Sequence, residues 1–202
     1  MRGHVPLALF FLDRGANPDA MGAGYTPLHH AALVQQHVPV AVTVGGVPLT
    51  GITDVAAGWL YTCSRIADGT GRCWGANASG QTGKGPVSAA VTTPYPVPTL
   101  AGATATATGG AFSCALLALG AARCWGDNTS GQLGNATTTS SVAAVTVAFP
   151  TGIRPTALAS GTGHSCAVVA TGGVRCWGAG SSGQLGNGST ALSSVPVAVT
   201  GI

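Results

Sequence analysis

One stretch of this chain is written three times, and that repetition constrains the fold more than any other feature. Cys166 to Gly186 reads CAVVATGGVRCWGAGSSGQLG. Cys114 to Gly134 reads CALLALGAARCWGDNTSGQLG, and Cys63 to Gly83 reads CSRIADGTGRCWGANASGQTG. The leading cysteines lie 51 and then 52 residues apart, and each pair is separated by ten. A period near fifty, with Gly and Trp at fixed offsets, marks an array in which each unit buries a face against its neighbour.

Inside each unit a short strand rises to Gly58, Gly109 or Gly161. A hairpin follows, turning at Gly69, Gly120 and Gly172, where a positive φ is easiest for a residue without a Cβ. The return strand ends in Arg-Cys-Trp-Gly in all three copies: Trp74-Gly75, Trp125-Gly126 and Trp177-Gly178. A Gly-rich loop then leads to Gln81, Gln132 and Gln184, with Thr82 standing where the later copies have Leu. A β-branched strand recurs between hairpins, at His37–Pro48, more loosely at Tyr95–Gly102 and Val142–Phe149, and again at Ser194–Ile202. Four short strands per unit predict propeller blades. Four copies of the last strand against three hairpins predict an unfinished fourth unit. The expected fold is all-β, a partial propeller of three blades plus an incomplete fourth, with hairpin cores near 58–83, 109–134 and 161–186.

Composition agrees with strands and tight turns. Only 6% of residues are charged, against roughly 25% in an ordinary chain, and Glu is absent. Pro plus Gly makes 44 of 202, below the roughly 25–30% of low-complexity chains. The net charge of +3 is scattered, which gives no electrostatic footprint for nucleic acid. No apolar run reaches the roughly 18 residues of a membrane span. Val5 to Leu12, behind Arg2, is a short apolar run followed at once by Asp13 and Arg14, with no small-residue cleavage site close by, which argues against a secretory signal.

These blades resemble the regulator-of-chromosome-condensation (RCC1) repeat family, in its bacterial-type form with Cys…Cys-Trp-Gly…Gly-Gln-Leu-Gly units. Gly163-His164-Ser165-Cys166-Ala167-Val168, then Cys176-Trp177-Gly178 and Gly183-Gln184-Leu185-Gly186, match best, and the likeness covers residues 38–202. The resemblance implies a propeller of seven blades that binds other macromolecules. Residues 1–37 read instead as helical, with Thr26 capping a helix that Pro27 opens. They resemble ankyrin repeats: Leu9–Ala20 looks like the end of one and Gly24-Tyr25-Thr26-Pro27-Leu28-His29 like the start of the next. Two half-repeats are too few to bury their stacked faces alone.

The cysteines pair by register. A three-residue loop centred on Leu119 puts Cys114 opposite Cys124, and the same register opposes Cys63 to Cys73 and Cys166 to Cys176. Opposed residues lie about 4.5–5.5 Å apart at Cα, within disulfide reach. The competing reading is pairs of buried thiols packing as small apolar groups. Nine intervening residues do not fit a structural zinc site. Oxidised pairs place the protein outside the cytoplasm or in the secreted fraction, while the ankyrin-like segment points to the cytoplasm.

One Trp per blade at a fixed place predicts packing between blades. Arg72, Arg123 and Arg175, two positions earlier, form a column that lies along the indoles or reaches solvent, with anion binding as the other reading. The histidines, including His29, His30 and His164, have no acid or nucleophile at a useful spacing. Asp13, Asp19, Asp54, Asp68 and Asp127 are dispersed, and Asp127-Asn128 supplies too few oxygens for calcium. Asn77, Asn128, Asn135 and Asn187 each begin an Asn-x-Ser/Thr sequon. No catalytic residue, metal site or cofactor is expected. The expected function is a non-enzymatic scaffold whose variable loops (Gly85–Tyr95, Ala136–Ser141, Ser189–Ser194) meet a protein partner. The alternative is a fragment of a longer RCC1-repeat protein whose open blade edges would self-associate. Hydrolase or guanine-nucleotide exchange activity rests on family analogy alone.

Overall fold

The computed structural model describes residues 41–97 and 102–201. The ankyrin-like segment at 1–37 lies outside the described residues. All regular structure among the described residues is β. A small hairpin comes first, β1 (Thr43–Val44) and β2 (Val47–Pro48), joined by Gly45 and Gly46 at positive φ. Three antiparallel sheets follow. The first holds β3 (Ile52–Ala57), β4 (Tyr61–Ile66), β5 (Gly71–Asn77) and β6 (Ser88–Val97). The second holds β7 (Ala103–Thr108), β8 (Phe112–Leu117), β9 (Ala122–Gly126) and β10 (Ser141–Thr146), and the third β11 (Pro155–Ser160), β12 (His164–Val169), β13 (Val174–Gly178) and β14 (Ser193–Ala198). Each sheet is a meander in chain order, the arrangement of a propeller blade. The first strands β3, β7 and β11 adjoin one another across blades. Their ends line one depression of about 260 Å³, with Trp59 half exposed on its wall.

The recurring Val-rich strand proves to be the outermost strand of each blade. Ser193–Ala198 closes the third blade by pairing Val197 with Cys176. The odd copy, His37–Pro48, therefore stands before the first blade, with β1 and β2 in its second half, rather than after the third. The fourth-strand identity depends on pairing across a long loop, which a local pattern does not reveal.

The core lies between blades. One cluster joins Tyr61, Cys63, Cys73 and Val97 of the first blade to Ala103, Ala115 and Trp125 of the second. Another joins Phe112, Cys114, Cys124, Leu133 and Val147 to Ala167 and Trp177 of the third. A single sheet cannot cover both of its faces, so each blade depends on its neighbour.

Candidate functional site

The hairpins bring the cysteines together as the register predicts. Cys63 pairs with Cys73, Cys114 with Cys124 and Cys166 with Cys176, at S–S separations of 2.15, 2.07 and 2.16 Å. Their Cα atoms lie 4.0–4.1 Å apart, somewhat closer than the general spacing of opposed residues. The hairpin glycines Gly69, Gly120 and Gly172 take φ of 83°, 75° and 89°.

Two junctions repeat one set of contacts. Trp125 donates its indole N–H to the carbonyl of Gln81, 2.9 Å away, and Trp177 donates to Gln132 at 3.0 Å. Both rings are buried to within 1% of full burial, so each contributes apolar area as well as a satisfied polar handle. Gly126 and Gly178 stand at φ 108° and 105°. A Cβ on Gly126 would meet the Ala111 carbonyl at 2.6 Å and Gln81 Cα at 3.2 Å. On Gly178 it would meet the Gly163 carbonyl at 2.5 Å and Gln132 Cα at 3.3 Å. The Trp-Gly pair thus lets the preceding blade's Gln loop close down on it. Gly75 repeats the geometry within its own blade, at φ 108°.

The glutamine side chains work locally. Gln81, Gln132 and Gln184 accept from the backbone N–H of Ser79, Ser130 and Ser182, at 2.8–2.9 Å, and the first two of these loops carry the next blade's indole. Gln132 also donates to Asp127 at 2.7 Å. At the first junction the Tyr61 hydroxyl donates to the Phe112 carbonyl, and Ser113 lies 3.1 Å from that hydroxyl and 2.9 Å from the Gln81 carbonyl. Burial pushes the Tyr61 phenol far above its ordinary pKa, so it stays a neutral donor.

The three arginines are half-buried, and two of them bond within their own blades. Arg72 reaches the Pro94 carbonyl at 3.4 Å and Arg175 the Pro196 carbonyl at 3.3 Å, so each ties its strand to the outer strand of its own blade. Asp127 is spent within its loop, accepting from Thr129, Gln132 and Ser140. Among the described residues no three His, Cys, Asp or Glu side chains are grouped to hold a metal ion.

Asn77 and Asn128 were legible in the sequence only as sequons. Both are fully buried. Asn128 Oδ1 accepts from Leu133 N–H at 2.8 Å, while its amide donates to the Thr137 and Thr139 carbonyls at 3.0 and 3.1 Å. Asn77 does the equivalent with Thr82 and Lys84, and Thr82 adds its hydroxyl at 2.6 Å, which accounts for Thr in place of Leu there. Neither amide is available to a glycosyl carrier in the folded chain. The signal was the fixed offset of three residues after Trp in the first two copies. The third copy has Gly180, where a Cβ would lie 2.0 Å from the Ala191 carbonyl.

The segments that differ between repeats are bare. Gly85 to Ala90, Ala136 to Ser140 and Ser189 to Leu192 are exposed throughout, and they carry Val87 and Leu192 with about half of each surface free.

Models of the regulator of chromosome condensation (RCC1) repeat match residues 103–132 and 156–184, and in a second form 122–168 and 171–202. The human probable E3 ubiquitin-protein ligase HERC3 is 34% identical over 140 residues, which is 68% of this chain and 13% of that protein. The matched stretch is thus a small part of that relative. The crystal structure of human WBSCR16 superposes with a TM-score of 0.65 at 26% identity, covering 73% of this chain and 37% of that one. Prp20p of Saccharomyces cerevisiae, in a structure described together with its binding to Gsp1p and histones, gives a TM-score of 0.68 at 21% identity over 92% of this chain and 45% of that one, a likeness of fold. Repeat period, Trp-to-Gln junctions, four-stranded blades and matching repeat models together place this chain in the RCC1-repeat family.

Proposed function

We propose that this chain is a non-enzymatic scaffold that binds a protein partner through the loops leading into the outer strand of each blade. One observation carries the reading: residues shared by the repeats are consumed in the blade junctions, whereas those that differ stand exposed on the connecting loops. A fixed frame with variable loops is how a repeat fold builds recognition. Replacing Ala136–Ser140 with a Gly-Ser linker of equal length tests it. Partner capture by the full chain should fall while the circular dichroism spectrum stays unchanged. Unaltered capture after replacement of each of the three loops in turn, or turnover of a substrate that disappears in Asp54→Asn or His164→Ala, would contradict the scaffold reading.

A second reading is favoured by the bare outer face of the third blade and by the partial coverage of relatives: the chain is a piece of a longer RCC1-repeat protein. The genomic sequence flanking this segment decides that, since further repeats would supply the missing neighbour. Guanine-nucleotide exchange has only the family analogy behind it. We also infer an oxidising compartment, with the cytoplasm as the alternative, from three cysteine pairs opposed in register across their hairpins. Alkylation of the protein in its host before lysis should find all six thiols blocked.

A further inference from the structure

The turns between the first and second strands of the blades share a frame and differ at one position. They read Gly58-Trp59-Leu60-Tyr61, Gly109-Gly110-Ala111-Phe112 and Gly161-Thr162-Gly163-His164. In each, the leading glycine donates its N–H to the carbonyl of the fourth residue, at 2.8–2.9 Å. Trp59, Gly110 and Thr162 thus hold the same place, and a blade forms with Gly or Thr there. Trp59 is 51% exposed, whereas Trp74, Trp125 and Trp177 are buried. An indole left half in water adds little to the fold. A single exposed ring is ordinary unless something beside it completes a site.

The depression at the inner strand ends does so. Besides Trp59 it is lined by the hydroxyl residues Thr108, Ser160 and Thr162, and otherwise by glycines and one alanine. Thr108 and Ser160 are half-buried and Thr162 is exposed. Among the described residues no charged side chain lines it. Gly110 donates its N–H to the Thr162 carbonyl at 2.9 Å, which fixes the second turn against the third. A Cβ on Gly110 would meet that carbonyl at 2.8 Å, so this part of the wall stays without a side chain. Blades pack face to face, whereas the depression lies at the ends of the innermost strands and takes its wall from all three blades.

We propose that this depression binds one neutral pyranose ring of a saccharide, with Trp59 as its stacking platform. The wall excludes the other ligand classes in turn. An anion needs a Lys or Arg, and a small cation a carboxylate or a cage of several rings. The wall supplies none of these. An apolar ligand needs a mostly hydrophobic lining, and here one ring stands among hydroxyls and backbone. A pyranose matches both halves. Its C–H face rests on the electron-rich face of the indole, and its rim of hydroxyls exchanges hydrogen bonds with Thr108 and Ser160, each able to donate and to accept. About 260 Å³ lies below the roughly 300–1,000 Å³ of a drug-sized site, which suits one ring with any further sugar units left in solvent. The inference does not depend on the partner reading above, which uses the loops leading into the outer strands.

The test titrates the full chain with methyl glucoside, methyl galactoside and N-acetylglucosamine, and follows the indole N–H signals by NMR. At least one sugar should give a saturable shift with a Kd of about 1–10 mM, confined to the Trp59 signal, which Trp59→Tyr identifies by its loss. Trp59→Ala should weaken that binding at least about tenfold by calorimetry, and Ser160→Ala about two- to tenfold, as expected for one hydrogen bond. Trp59→Tyr should retain most of it, since a phenol ring also stacks. No saturable shift with any of the three sugars, equal binding by Trp59→Ala, or shifts at the buried indoles alone would overturn the proposal. Tighter binding of tetramethylammonium than of every sugar would overturn it too, by assigning the ring to a cation. So would a protein held through Trp59 that saturating sugar does not displace. If Trp59→Ala does not fold, the wild-type indole shifts still decide.

Discussion

The second blade and the third have nearly the same sequence through their hairpins, yet different environments. Trp125 and Trp177 are equally buried, because each looks back toward a preceding blade. The forward faces differ. Phe112, Cys114 and Gly131 are covered by the third blade, whereas His164 and Cys166 are only half-covered and Gly183 is exposed. A repeat unit therefore encodes its contacts in pairs, one set toward the preceding blade and one toward the following blade.

The largest test of the junctions is Trp125→Ala, which empties the middle of one and removes the indole donor from the Gln81 carbonyl. A loss of about 3–5 kcal/mol is expected from the urea midpoint. A loss below about 1 kcal/mol would mean that the junctions do not hold the fold. Next comes a matched pair at one motif position, Gly131→Ala and Gly183→Ala. Both glycines have positive φ, 78° and 72°, so each change carries a backbone penalty of about 1–2 kcal/mol. Only Gly131→Ala adds the collision with Ser194, for about 1–3 kcal/mol more. Equal destabilisation would show the two faces to be equally packed.

Asn128→Ala should cost about 1–3 kcal/mol, because Leu133 N–H and the Thr137 and Thr139 carbonyls lose their partner inside the loop. Thermal melts of this variant beside Asn135→Ala, whose side chain is half-exposed, check the contrast. The smallest effect is at His164, which occupies the place of Tyr61 and Phe112 and packs over Gly161. Desolvation lowers its pKa, so the neutral ring is favoured in the fold. Its contribution is fully present above the ordinary histidine value, near 6.5, and is lost as pH falls through the lowered folded value. His164→Phe should flatten that part of the pH dependence in urea titrations between about pH 7.5 and 5. Identical slopes for the two proteins would assign the dependence to other groups.

Much of this was readable because a hairpin is a local object. Nine residues between cysteines, with a turn glycine near the middle, leave one antiparallel register, and Cys114 opposite Cys124 follows from it. The bonds of Arg72 and Arg175 were not legible, for the opposite reason. Their acceptors, Pro94 and Pro196, lie about twenty residues away on the outer strand, beyond any local pattern. Asn77 and Asn128 matched a surface sequon because composition says nothing about which loop folds over its own amide.

Sequence by itself determined the repeat unit, its four strands, the cysteine pairing and the family, since each depends on spacing within some fifty residues. Tertiary structure decided which blade owns each Val-rich strand, and that Trp125 and Trp177 donate to the preceding unit's glutamine carbonyl. Those are contacts between units, and near-identical units carry the same residues whether or not a neighbour is there to meet them.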